Sequence, residues 1–404
     1  MSAAIPDQPV AAPEPTPAAD PEYTTEQLQA RSRDFIASEK FNRRFTLPAT
    51  DDHGELTVTY AVAGKDSESA PTILFIGGLY GGRYLATMAD YLSEKKGVRF
   101  VVADRPGMGG STPVKPLQRL SVWLETVPAL MRILGAQHVA VGAHSCGVIY
   151  ALNTVYSMPE ILSPTNPRLY LFTPWVSPKY SGISYLSLSS YMPSKLIGGF
   201  DGLVRFITSN VVPTVQFSSG LFSGPSTASG AKNDLCREFR GVSAAEAKAQ
   251  SDVIMKLLFS EDTSGANDEC LLLLKKKAAG PWGACESYGE YPAKLEAKLR
   301  EYFASHPPST QEPSDSSAPS ISPPQQRLAV KVFWAESDLL IGKKGAAYFD
   351  TCFKKFLQEE LGSGADSTVL VYDSEVLPET DHDTTLLPEY GALPQMIEDI
   401  IGAK

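Results

Sequence analysis

The chain has 404 residues, of which 43% are hydrophobic and 20% charged, enough apolar material for a sizeable core. Its formal net charge of −10 argues against nucleic acid or an anionic membrane surface as the main partner. Five scattered cysteines, Cys146, Cys236, Cys270, Cys285 and Cys352, show neither a CxxC pair nor a disulfide framework, so a reducing cytoplasm is expected.

The first residues, MSAAIPDQPVAAPEPTPAADPEY, carry no basic leader and no apolar stretch. Alanine and proline without periodicity bury little, so residues 1–40 are predicted to be a tail: disordered to about 22, then a poorly anchored helix. No apolar run reaches the length of a membrane span, about 18 residues or more. From residue 43 the pattern changes. RRFTLPA and ELTVTYAVAG alternate as half-buried strands do, and PTILFIGG is an apolar strand ending in glycines. Helix RYLATMADYLSEKK, strand VRFVVA, helix LQRLSVWLETVPALMRILGA, strand HVAVGAHS, helix CGVIYALNTVYSMP and strand PRLYLFTPWV follow. Such alternation predicts a mostly parallel α/β sheet flanked by helices, with ligands at the C-terminal ends of the strands.

The alternation stops near 178. Residues 178–326 are predicted to be a large, mainly helical cap ending in a Ser/Pro-rich loop near 307–325. The core, begun at 41–177, resumes at 327–404 with strand LAVKVFWAES, helix KKGAAYFDTCFKKFLQEEL, strand STVLVYDSE, a loop and a final helix.

Three residues stand where chemistry could be done. Ser145 in VAVGAHSCGV sits between strand and helix, with small Ala143 and Gly147 two positions to either side. Only small residues fit there if the serine occupies a strained turn that exposes its hydroxyl. A serine nucleophile needs a base, and of five histidines His382, in LPETDHDTT, follows the final strand and can reach the sheet's C-terminal edge. The acid that would orient the imidazole is Asp338 in VFWAESDLLIG, with Glu336 as the alternative.

FIGG, DRPGMGGS, AHSCG, and AESDLL with TDHD together resemble the α/β-hydrolase superfamily, in its capped group of serine esterases and lipases. The resemblance covers about residues 44–177 and 327–402; Gly77 and Ala143 depart from a histidine and a glycine that are frequent there. It implies a triad of Ser145, Asp338 and His382, and an oxyanion hole made by the backbone N–H groups of Leu79 and Cys146. Gly78, Tyr80, His144 and Trp175 are the expected substrate contacts. No metal or cofactor is implied, and the substrate is expected to be an apolar, small-molecule ester, lactone or thioester. Epoxide hydrolases and dehalogenases of this fold would carry aspartate at position 145. A C–C bond hydrolase, an acyltransferase or a non-catalytic binding protein could keep the same residues.

Overall fold

In the computed structural model of the chain, the described residues are 23–184, 186, 230–307, 326–362 and 368–402. Residues 1–22 of the expected tail, 185 and 187–229 of the expected cap, and all but the first residue of its Ser/Pro-rich loop at 307–325 lie outside them. Eight strands form one sheet: β1 (Arg43–Leu47), β2 (Leu56–Gly64), β3 (Thr72–Ile76), β4 (Arg99–Ala103), β5 (Ala140–His144), β6 (Arg168–Phe172), β7 (Leu328–Ser337) and β8 (Leu370–Asp381). Their order is β1-β2-β4-β3-β5-β6-β7-β8. The pairs β1–β2 and β2–β4 are antiparallel, and every later pair is parallel. β3, β4 and β5 are buried along their whole length, as expected of parallel strands covered on both faces.

The helices are α1 (Thr25–Ile36), α2 (Ala86–Lys96), α3 (Arg119–Leu134), α4 (Gly147–Ser157), α5 (Pro178–Ser181), α6 (Gly230–Arg240), α7 (Ala244–Ser260), α8 (Ser264–Leu273), α9 (Tyr291–Ser305), α10 (Gly342–Gly362) and α11 (Ala392–Ile401). Two apolar layers cover the sheet. One includes Trp123 of α3, Tyr150 of α4, Leu272 of α8, Leu295 of α9 and Phe349 of α10. The other includes Ile36 of α1, Leu92 of α2, Ile254 of α7 and Met396 of α11.

The helix expected to be poorly anchored is in fact docked. Thr24 accepts the Gln27 N–H while the Gln27 side chain accepts the Thr24 N–H, a reciprocal cap. Ile36 and Phe41 are fully buried, α1 packs along α7, and Arg31 pairs with Glu246. A pairing partner distant in sequence supplies the burial that the composition of this segment did not announce. The insertion also contributes to the layers of the core. α9 lies against α4 and α10, and its Glu296 accepts the N–H groups of Val369 and Leu370. β8 runs further than the sequence pattern suggested. Pairing with β7 continues to Ala335–Leu377 and, past an irregularity, to Ser337–Asp381, so His382 follows the strand directly. Pro378 is tolerated there because β8 is an edge strand.

Candidate active site

β5 ends at His144 and α4 begins at Gly147, leaving Ser145 and Cys146 to make the corner. Ser145 has φ +50°, a left-handed conformation uncommon for a residue with a side chain. Neighbouring backbone holds it there: the Ser145 N–H donates to the Phe172 carbonyl at 3.0 Å, and the Ser145 carbonyl accepts from the Val148 and Trp175 N–H groups at 3.1 Å each. Gly147 is required by contact. A Cβ at 147 would lie 2.3 Å from the Ile76 carbonyl oxygen, so any side chain would push α4 off the end of β3.

Ser145 Oγ lies 2.9 Å from His382 Nε2, and His382 Nδ1 lies 2.8 Å from Asp338 Oδ2. A carboxylate can only accept, so Nδ1 carries the proton and Nε2 presents its lone pair to the serine hydroxyl. Asp338 Oδ1 accepts the Leu340 and Ile341 N–H groups at 2.8 Å each. Burial pushes the Asp338 pKa up, but His382 and these two backbone donors outweigh it and hold the carboxyl below its ordinary range. Burial likewise pulls the His382 pKa down, yet the facing Asp338 carboxylate leaves it above the ordinary histidine value. Glu336 is exposed and accepts the Glu379 N–H at 2.8 Å; it is Asp338 that meets the imidazole.

The His382 carbonyl is held by three donors. His144 Nε2–H reaches it at 2.9 Å, Thr385 Oγ1 at 3.1 Å and Thr173 Oγ1 at 3.2 Å. His144, expected among the substrate contacts, is fully buried beneath the site, and its ring lies 4.9 Å from that of His382. Burial and then His382 push its pKa down to about 3, so it stays neutral and keeps the proton on Nε2. Thr173 and Thr385 were not singled out in the sequence; a hydroxyl three residues after the histidine was the available signal.

Gly78 packs on the serine: a Cβ there would stand 3.3 Å from Ser145 Cβ and 2.8 Å from His144 Nδ1. The N–H groups of Leu79 and Cys146 have no hydrogen-bond partner among the described residues. Trp175 is buried and donates its indole N–H to the Leu273 carbonyl at 3.3 Å; Tyr80 is buried with its ring 6.0 Å from Phe259. A cavity of about 260 Å³ lies between α6 and the end of β8, lined by Leu235, Glu379 and Leu387 among others, but by none of Ser145, His382 and Asp338. His144, His382 and Asp383 bring potential metal-ligand atoms within 4.8 Å of one another. Both His382 ring nitrogens are already engaged by Asp338 and Ser145, which leaves that group short of ligands.

Behind the site lies a buried charge network. Arg105, next after Asp104 at the end of β4, donates through Nη1 to the Gly77 carbonyl at 2.7 Å and through Nη2 to the Gly78 carbonyl at 2.6 Å. Glu269 of α8 receives Arg105 Nε and, at 2.9 Å, Arg105 Nη2; it also receives Arg119 Nη2 at 2.8 Å and the Cys146 thiol at 3.5 Å. Burial pushes the Glu269 pKa up, but Arg105 and Arg119 overcome it and hold the carboxyl low.

An eight-stranded, mostly parallel sheet with a serine corner at the end of β5 is the architecture of an α/β-hydrolase-fold protein. Residues 71–159 match the sequence model described as alpha/beta hydrolase fold. A thermophilic esterase from Thermogutta terrifontis aligns at TM-score 0.50 and 14% identity, over 89% of this chain and 99% of that one. An enol-lactonase from Burkholderia xenovorans LB400 aligns at TM-score 0.48 and 12% identity, over 85% and 96%. A Bacillus megaterium epoxide hydrolase aligns at 0.44 and 12%, over 86% and 96%. A search of curated proteins finds no match. The chain has the α/β-hydrolase fold.

Proposed function

We propose that the protein is a serine hydrolase that cleaves an uncharged or lipophilic ester, lactone or thioester through an acyl-enzyme. The observation carrying this reading is the unbroken chain from Ser145 Oγ through His382 to Asp338, 2.9 and 2.8 Å, built on a serine held at φ +50°. In the reading, His382 Nε2 takes the Ser145 proton as Oγ attacks the carbonyl carbon, and Asp338 stabilises the resulting imidazolium. The unpartnered N–H groups of Leu79 and Cys146 receive the oxyanion, and collapse expels the alcohol or thiol with the proton from His382. Water then attacks the acyl carbon by the same proton relay, releasing the acid and restoring the serine. No step calls for a metal or an organic cofactor. The buried apolar residues Leu79, Tyr80 and Trp175 beside the corner favour a lipophilic acyl group.

Five unpaired cysteines suit a reducing, cytoplasmic setting, and no described helix is long and apolar enough to cross a membrane. Labelling with a fluorophosphonate followed by peptide mapping tests the assignment, with a p-nitrophenyl ester chain-length panel to define the acyl group. Modification confined to Ser145, lost in His382→Ala, is the expected result. An unlabelled chain without turnover would point to a binding protein built on this fold.

A further inference from the structure

Both candidate oxyanion donors rest on one buried group contributed by the insertion. Arg105 is almost wholly buried and grips the carbonyls of Gly77 and Gly78 at 2.7 and 2.6 Å. A trans peptide is planar, with its C=O and N–H on opposite sides. Turning the Gly78 oxygen onto the guanidinium therefore turns the Leu79 N–H the other way, where it has no described partner. A charged donor on that oxygen also polarises the peptide and strengthens its N–H as a donor. The second donor belongs to Cys146, whose thiol hydrogen-bonds Glu269 Oε2 at 3.5 Å and lies 3.9 Å from Arg105 Nη2. Glu269 holds Arg105 through two bonds and Arg119 through a third, and it reaches them from α8, within the insertion.

From this geometry we infer that Arg105 is a positioning residue for the oxyanion hole, and that Glu269 makes the insertion part of that hole rather than a cover over it. The inference rests on the serine-hydrolase reading. Stability alone does not account for the arrangement, since well-packed apolar side chains can replace a buried ion triad at little cost or with a gain. Here the guanidinium is directed onto the two carbonyls that set the loop facing Ser145.

The test separates positioning from folding. Arg105→Met, Arg105→Lys, Glu269→Gln and the triple variant Arg105→Met/Arg119→Met/Glu269→Leu are compared with wild type, each below its own melting temperature. The triple variant removes all three charges, so no buried charge of the triad is left unpaired. Readouts are kcat and KM on a p-nitrophenyl ester, affinity for an alkyl trifluoromethyl ketone that forms a tetrahedral adduct, and the pH profile. The expected result is a kcat lower by roughly 10- to 100-fold in Arg105→Met and in the folded triple variant, with KM within about threefold. Ketone affinity falls in parallel, the acid limb does not move, and Arg105→Lys partly rescues. A folded triple variant with wild-type kcat and ketone affinity overturns the inference and leaves the triad a structural device. A wild-type chain that the fluorophosphonate does not label at Ser145 overturns the serine-hydrolase reading, and the inference with it.

Discussion

Replacing Asp338 by asparagine changes one atom, and the hydrogen bonds around that residue dictate which way the new amide turns. Oδ1 accepts two backbone donors, from Leu340 and Ile341, while Oδ2 accepts one, from His382 Nδ1. The amide oxygen is the only acceptor that remains, so it stays on the two backbone N–H groups, and the NH2 faces the imidazole. Nδ1 must then be the unprotonated nitrogen, which puts the hydrogen on Nε2, pointing at Ser145 Oγ. In that tautomer the base cannot take the serine proton. A loss of kcat of about 10³- to 10⁴-fold is expected, or roughly 4–5.5 kcal/mol of barrier, with the fold intact. The pH profile adds a second signature. Burial lowers and Asp338 raises the His382 pKa, with the carboxylate prevailing, so the acid limb of wild-type kcat/KM should have its midpoint above the ordinary histidine value of about 6.5. With the Asp338 carboxylate gone, burial is opposed only by the weaker raising influence of Asp383 and Asp381, and the midpoint of the residual activity should move to lower pH. Steady-state hydrolysis of a p-nitrophenyl ester from pH 5 to 9, with thermal unfolding as the control, measures both. Wild-type kcat in Asp338→Asn, or a larger loss in Glu336→Gln, would refute the argument.

Ser145→Ala should abolish turnover while keeping the φ of +50°, whereas Ser145→Gly should also be inactive but melt a few degrees higher than the alanine variant, because glycine relieves a strain of order 1–3 kcal/mol; equal melting temperatures would argue against stored strain. Cys146→Ala should be far milder in kcat than either. Thr173→Val and Thr385→Val each remove one donor from the His382 carbonyl, so each should lower kcat by about threefold to tenfold, at a cost of about 1 kcal/mol or less in a melt; no change in the double variant would show that His144 alone holds the loop. The folded Glu269 pKa is depressed, so its contribution is present above the unfolded value of about 4.3 and is lost as pH falls through the folded value. The melting temperature of Glu269→Gln should accordingly depend less on pH below about 4 than that of wild type, as measured by calorimetry between pH 3 and 6.

Local pattern determined much of this protein. The two-residue alternation of ELTVTYAVAG and the unbroken apolar runs ILFI and FVVA mark the partly and fully buried strands β2, β3 and β4, because burial on one or both faces is written directly into side-chain order. The small residues around Ser145, and the placement of His382 and Asp338 after late strands, were legible for the same reason: a corner tolerates few side chains, and strand ends collect polar ones. Tertiary structure decided what depends on partners distant in the chain. α1 gave little sign of anchorage, since its burial is supplied by α7, more than 200 residues later. β8 could not be followed past Pro378 until its edge position and its pairing with β7 were known. The choice of Asp338 over Glu336 turns on which carboxylate faces Nδ1, a matter of ångströms that neighbouring positions in a sequence do not encode. Glu269 carried no signal at all within SGANDECLLL. Its meaning comes from Arg105 and Arg119, some 150 residues away in sequence, which alone make a buried carboxylate tolerable there.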